Sequence, residues 1–153
     1  MRSSVDVHNY LVERDVQHEL FTVRGRLRTA ERLAAVLELP PEQVGKVVVY
    51  ETGNDPLLVL VPSDRVPDPA RVKRAAKAKE LDQATPARVS ELSDYVPDAI
   101  PPVALPARFR VLMDRSLAGQ EVVYFHGGDS TAVLKLRGKD LARAAEAKVL
   151  RLV

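Results

Sequence analysis

The stretch Val44–Asp64, VGKVVVYETGNDPLLVLVPSD, decides the architecture. Lys46 to Glu51 and Leu57 to Val61 are β-branched or leucine-rich runs, and Thr52-Gly53-Asn54-Asp55-Pro56 between them is turn chemistry. This reads as a β-hairpin with a loop longer than two residues. Both runs are apolar on both faces, so the hairpin belongs in the middle of a sheet that is covered on each side. Lys46 breaks the pattern. A lysine at the entrance of Val47-Val48-Val49-Tyr50 either runs its stem along the sheet edge to water or fixes a cation at a pocket mouth; on the residues alone, the first reading has the better case.

On the amino-terminal side, Ser3 or Ser4 can cap a helix running to about Arg14, with Val7, Tyr10 and Leu11 on one face. His18 to Val23 is a short strand ended by Gly25, and Thr29 caps a helix over Ala30 to Leu39 with Leu33, Val36 and Leu37 on one side. On the carboxy-terminal side, Asp68-Pro69 and Thr85-Pro86 each place proline at the first position of a helix, the second running to Leu92. Ser93 to Arg108 holds Pro97, Pro101, Pro102 and Pro106 and no glycine, which predicts a shaped, ordered connection. A strand at Phe109–Met113, a turn at Asp114–Gly119, strands at Glu121–Phe125 and Ala132–Leu136, and a helix from about Lys139 complete the order. Strands and helices do not alternate as in a parallel α/β chain. The expected class is α/β of the α+β type, a mixed, curled or partly closed sheet surrounded by helices. With 153 residues, one domain over 1–153 is expected.

Composition narrows the chemistry. Cysteine is absent, which removes thiol nucleophiles and disulfides and fits a reducing compartment. The start of the chain lacks a signal-like apolar stretch and no run approaches membrane-spanning length, so a cytoplasmic location and no membrane partner are expected. There is no G-x-S-x-G elbow, no Walker A sequence and no dinucleotide fingerprint. His8, His18 and His126 lack metal-ligand spacing, and for each a surface or structural role is the simpler account; His126 alone is of interest, because it ends a strand beside Gly127-Gly128. No metal or cofactor is expected. Gly127-Gly128-Asp129-Ser130 reads as a hairpin turn, or as a place where missing side chains admit a substrate. Asp114 reads first as a cap of the next turn. Arg71 and Arg74, with Lys73, Lys77 and Lys79 around them, make one helix basic over much of its circumference; a solvated helix is the usual explanation and an RNA backbone contact the alternative.

Taken together and in order, these segments resemble the YbaK/prolyl-tRNA-editing domain family. Val44-Gly45-Lys46-Val47-Val48-Val49 is similar to the family's lysine strand, and Leu57 to Asp64 to its next strand and proline-containing exit. Asp98-Ala99-Ile100-Pro101-Pro102 lies where the family has its substrate loop. Val111 to Leu117, with Asp114-Arg115-Ser116-Leu117, is similar to the strand ending in D-x-S-L. Gly127-Gly128, Leu134–Leu136 and Asp140-Leu141 match its glycine hairpin and last helix. The resemblance implies a deacylase acting in trans, which hydrolyses the ester of a tRNA mischarged with a small amino acid. Aminoacyl-tRNA is the implied partner, with an aminoacyl-tRNA synthetase as a further one. It makes Lys46 the catalytic residue, holding the terminal phosphate or sugar. Asp98, Ala99, Ile100, Pro101, Pro102, Asp114, Gly127, Gly128 and Ser130 become substrate-binding. Water or a substrate group attacks the carbonyl, with no protein nucleophile. Ser130 stands where some relatives of the family have a histidine or asparagine, and two positions depart more sharply: Val47 replaces a threonine and Asp98 replaces a glycine. These departures motivate the alternative of a non-catalytic, tRNA-binding or regulatory relative. A hydrolase for another small acylated molecule is the third reading.

Overall fold

In the computed structural model, which describes residues 1–153, the strands are β1 (Glu19–Thr22), β2 (Gly45–Glu51), β3 (Leu57–Pro62), β4 (Asp82–Gln83), β5 (Arg110–Asp114), β6 (Val123–His126), β7 (Ala132–Leu136) and β8 (Lys148–Leu150). The helices are α1 (Ser4–Glu13), α2 (Ala30–Val36), α3 (Pro69–Ala76), α4 (Pro86–Ser93), α5 (Arg115–Ala118) and α6 (Gly138–Ala144). The β2–β3 hairpin is antiparallel, with Lys46 opposite Val61 and Tyr50 opposite Leu57. It lies inside a five-stranded sheet ordered β4-β2-β3-β5-β8, in which β5 runs parallel to β3 and β8 parallel to β5. A second, antiparallel sheet has the order β1-β7-β6, and an isolated bridge between Val44 and Tyr124 joins the two. The mixed sheet surrounded by helices is thus present, divided in two.

The alternation of β3 explains its central place. Leu58 and Leu60 enter the largest core with Val7 and Leu11 of α1, Tyr95, Leu117 and Phe125. Leu57, Val59 and Val61 face the other way, onto Val72 and Ala76 of α3 and onto Leu152. Period-two side chains on a strand buried on both faces require both layers to be apolar. Helix α2 covers the small sheet through Leu33 and Ala34, against Val44 and Val133.

The caps form as the sequence suggests. Ser3 makes a capping box with Asp6, and Thr29, Asp68 and Thr85 each accept a backbone N–H of the helix that follows. Such caps contribute about 1 kcal/mol each. Two helices stop early. Helix α2 ends at Val36, with Glu38 at φ +53°, and buries Ala30, Leu33 and Ala34 while Val36 is 40% exposed. Helix α3 ends at Ala76, so Lys77 and Lys79 lie beyond it. The proline-rich connection is ordered: fully buried Tyr95 donates its hydroxyl to the Ala104 carbonyl at 2.9 Å, and Arg2 donates to the same oxygen at 2.7 Å.

Candidate functional site

Gly45 fixes how the two sheets meet. A Cβ there would lie 1.9 Å from Cζ of Phe125, which is fully buried. Only a hydrogen at position 45 lets β6 pack against the start of β2. That approach brings His126, the last residue of β6, to the cleft that holds Lys46. The cleft has a volume of about 200 Å³. Its walls are the entry to α2 (Arg28 to Glu31), Lys46 and Val47, the proline loop (Pro97, Asp98 and Ile100) and His126.

Lys46 is about a quarter exposed, and its Nζ lies 3.2 Å from Oε1 of Glu31 in the first turn of α2. A pair this open to water is worth at most about 1 kcal/mol, so an incoming anion can displace the carboxylate. Across the cleft, Asp98 accepts a long hydrogen bond, 3.5 Å, from the Ser130 hydroxyl and makes no salt bridge. His126 is 8% exposed, and its Nε2 lies 2.7 Å from the Leu27 carbonyl. A carbonyl only accepts, so Nε2 carries the proton and, in the neutral ring, Nδ1 is a bare acceptor. No deeply buried side-chain nitrogen or oxygen lacks a partner, so this unpartnered Nδ1 reaches solvent. Burial lowers the imidazole pKa, against the opposing pull of the Leu27 carbonyl and of the Asp98 and Glu31 carboxylates. The ring is therefore neutral at neutral pH.

The structure brings together only part of the predicted set. Lys46, Asp98 and Ile100 line the cleft, and Ser130 touches it through Asp98. Ala99, Pro101 and Pro102 are buried in the body of the loop, where they shape it without lining the cleft. Asp114 is only 2% exposed, and both its oxygens are occupied: Oδ1 accepts the Leu152 N–H at 2.7 Å, and Oδ2 accepts the backbone and hydroxyl of Ser116. It caps α5 and ties down the end of the chain, outside the cleft. Gly127 and Gly128 also lie outside the cleft lining. A Cβ on Gly127 would meet Leu20 at 2.7 Å; Gly128, at φ +100°, would meet the backbone of Ser3 and Ser4 at 3.0 Å. The paired glycines let the hairpin close onto β1 and the start of α1. Asp129 reinforces this by accepting the Ser4 N–H at 3.0 Å.

His126 and Glu31 line the cleft but stand outside the predicted site residues. His126 offers one signal, a lone polar group ending the apolar run Val123-Tyr124-Phe125. Glu31 offers none, because an acidic residue in a first helical turn is already explained by the helix dipole. His8 and His18 pair with each other at 3.0 Å, away from the cleft. No helix is long and apolar enough to cross a membrane.

Residues 25–144 match the family model described as an aminoacyl-tRNA editing domain, a span that includes every residue of the cleft. A proline–tRNA ligase of Latilactobacillus sakei is 32% identical over 104 residues, which are 67% of this chain and 18% of that protein. The chain therefore spans less than a fifth of that relative's length. The crystal structure of the hypothetical protein APE2540 superposes with a TM-score of 0.90 at 26% identity, over 96% of this chain and 98% of that one. A structure described provisionally as a trans-editing enzyme for prolyl tRNA synthetase superposes with a TM-score of 0.87 at 25% identity, over 99% of this chain and 97% of that one. The chain belongs to the aminoacyl-tRNA editing domain family.

Proposed function

We propose that this protein hydrolyses the ester of a tRNA mischarged with a small amino acid, and that the cleft between Lys46, Asp98 and His126 is where the ester lies. The observation that carries the reading is the convergence of one displaceable cation, one carboxylate without a salt bridge and one neutral imidazole on a space of about 200 Å³. That volume is below the range of drug-sized pockets and suits a small acyl group. A second sieve of this kind answers the poor rejection of small apolar residues by a synthetase pocket.

The substrate carries complementary charges. Its terminal phosphate is anionic and suits Lys46, which exchanges Glu31 for it. The α-ammonium next to the ester carbonyl suits Asp98. Water attacks the carbonyl carbon, the bond to the ribose oxygen breaks, and that oxygen leaves with a proton. His126 Nδ1 accepts a hydrogen bond from the attacking water and orients it. Ser130, by donating to Asp98, holds the carboxylate toward the amino group.

The test is amino-acid release from a panel of tRNAs charged with alanine, cysteine, serine, threonine or proline analogues, each also in an N-acetylated form. Release from at least one free-amino substrate, lost on acetylation and restored in part by Asp98→Gly, is the expected result. No release above spontaneous hydrolysis across the panel defeats the reading. Salt-dependent tRNA binding without release selects the non-catalytic alternative, and cleavage of free aminoacyl esters with indifference to tRNA selects the third.

A further inference from the structure

The far end of the β2–β3 hairpin holds a much larger depression, of about 880 Å³, between the hairpin loop, the end of α3 and the residues leading into β5. Lys77, Lys79, Arg108 and Arg110 line it, against the carboxylates of Asp55 and Glu80. Four cations against two carboxylates give this one depression a net charge of +2, as much as the whole chain carries. The only ion pair within it, Arg108 with Asp55 at 3.9 Å, joins two exposed groups and contributes little. Lys77, Lys79 and Arg110 form no salt bridge; Lys73 and Arg74, in the last turn of α3, form none either and extend the positive surface.

Helix capping accounts for only part of this charge. Arg110 donates to the Ala76 carbonyl at 3.0 Å, and Lys148 to the Ala75 carbonyl at 3.1 Å, so those two cations satisfy the open end of α3. Lys79 and Arg108 make no such bond. Lys77 occupies the left-handed cap at φ +52°, where glycine is the less strained choice. The lining is nearly without apolar anchors, Ala76 and Ala78 being its hydrophobic members, which disfavours a protein partner.

We propose that this depression binds the phosphate backbone of RNA, the stem of the same tRNA whose charged end enters the Lys46 cleft; in that respect it rests on the editing reading. The two places are opposite ends of one strand. Lys46 to Thr52 is six residues of extended chain, about 20 Å at ~3.3 Å per residue. A second cationic site at this spacing holds the stem while the ester is cleaved at the first.

The experiment uses the double variant Lys77→Gln/Lys79→Gln, whose altered side chains are exposed and remote from the cleft. Deacylation of mischarged tRNA is followed between about 50 and 200 mM salt, beside cleavage of a short aminoacyl-adenosine ester. The expected result is a KM for tRNA raised about ten-fold, a salt dependence shallower by about two, one for each lost phosphate contact, and an unchanged kcat. Turnover of the short ester is expected to stay as in the wild type. An unchanged KM and salt slope with full-length tRNA overturn the proposal. If the wild-type protein releases no amino acid, the editing reading fails; tRNA binding by fluorescence anisotropy over the same salt series then tests the depression alone, where equal slopes for variant and wild type overturn it.

Discussion

The two ends of the β2–β3 hairpin place charge in opposite ways. At the Lys46 end the space is about 200 Å³, and three of its polar groups each have one identifiable partner: Lys46 has Glu31, Asp98 has Ser130 and His126 has the Leu27 carbonyl. At the Thr52 end the space is about 880 Å³, and its cations are largely without carboxylate partners. Charges held in fixed geometry can discriminate a reacting group and stabilise charge developing on it. Loosely held charges supply a field that attracts a polyanion without demanding one orientation. The same strand thus carries a site suited to chemistry and one suited to holding.

The contrast breaks most visibly at Lys46. Lys46→Ala is expected to lower kcat/KM for mischarged tRNA by about 100-fold, equivalent to ~2.7 kcal/mol, with the melting temperature nearly unchanged. An equal loss of activity and stability would make Lys46 a structural residue. The next largest effect concerns stability. Asp114→Asn leaves an amide among donors that now share a buried carboxylate, and chemical denaturation should show a loss of about 3 kcal/mol. Kinetic constants of the folded variant should stay within a few-fold of the wild type. Preserved stability with lost activity would return Asp114 to the site.

The smallest effect sharpens the role of His126. Its folded pKa lies below the ordinary 6.5, so the folded state favours the neutral ring. Below pH 6.5 the unfolded chain binds the proton more readily, and the stability contributed by the neutral ring is lost as pH falls through the folded value. The pH–rate profile should be flat at neutrality, with an acid limb below 6.5 that His126→Gln removes. A limb that persists in the variant assigns it to another group.

The fold was legible where composition left one option. In Val44–Asp64, β-branched runs around a turn fix the hairpin, and polar–proline pairs fix the starts of α3 and α4. The edges were not legible. Strand β4 is Asp82-Gln83, with no apolar pattern, and exists because it pairs with Tyr50 and Glu51. The two aspartates show the same limit within the site. Asp98 and Asp114 both lie in segments that match the family, yet one borders the cleft and the other is enclosed by Ser116 and Leu152. Sequence position could not separate them, because a carboxylate's role depends on which donors the fold brings to it. Gly127-Gly128 behaved likewise: glycine marks close approach, and the neighbours the fold brings there, Leu20 for Gly127 and the Ser3–Ser4 backbone for Gly128, are not legible in the sequence.

The most direct test is nuclear magnetic resonance titration with a nonhydrolysable amide analogue of aminoacyl-adenosine that carries the 5′-phosphate. Shifts confined to Glu31, Lys46, Asp98, Ile100 and His126, and absent in Lys46→Ala, are the predicted result. Shifts centred on Asp114 or on the Thr52–Asp55 loop, with the cleft resonances unmoved, would contradict the account.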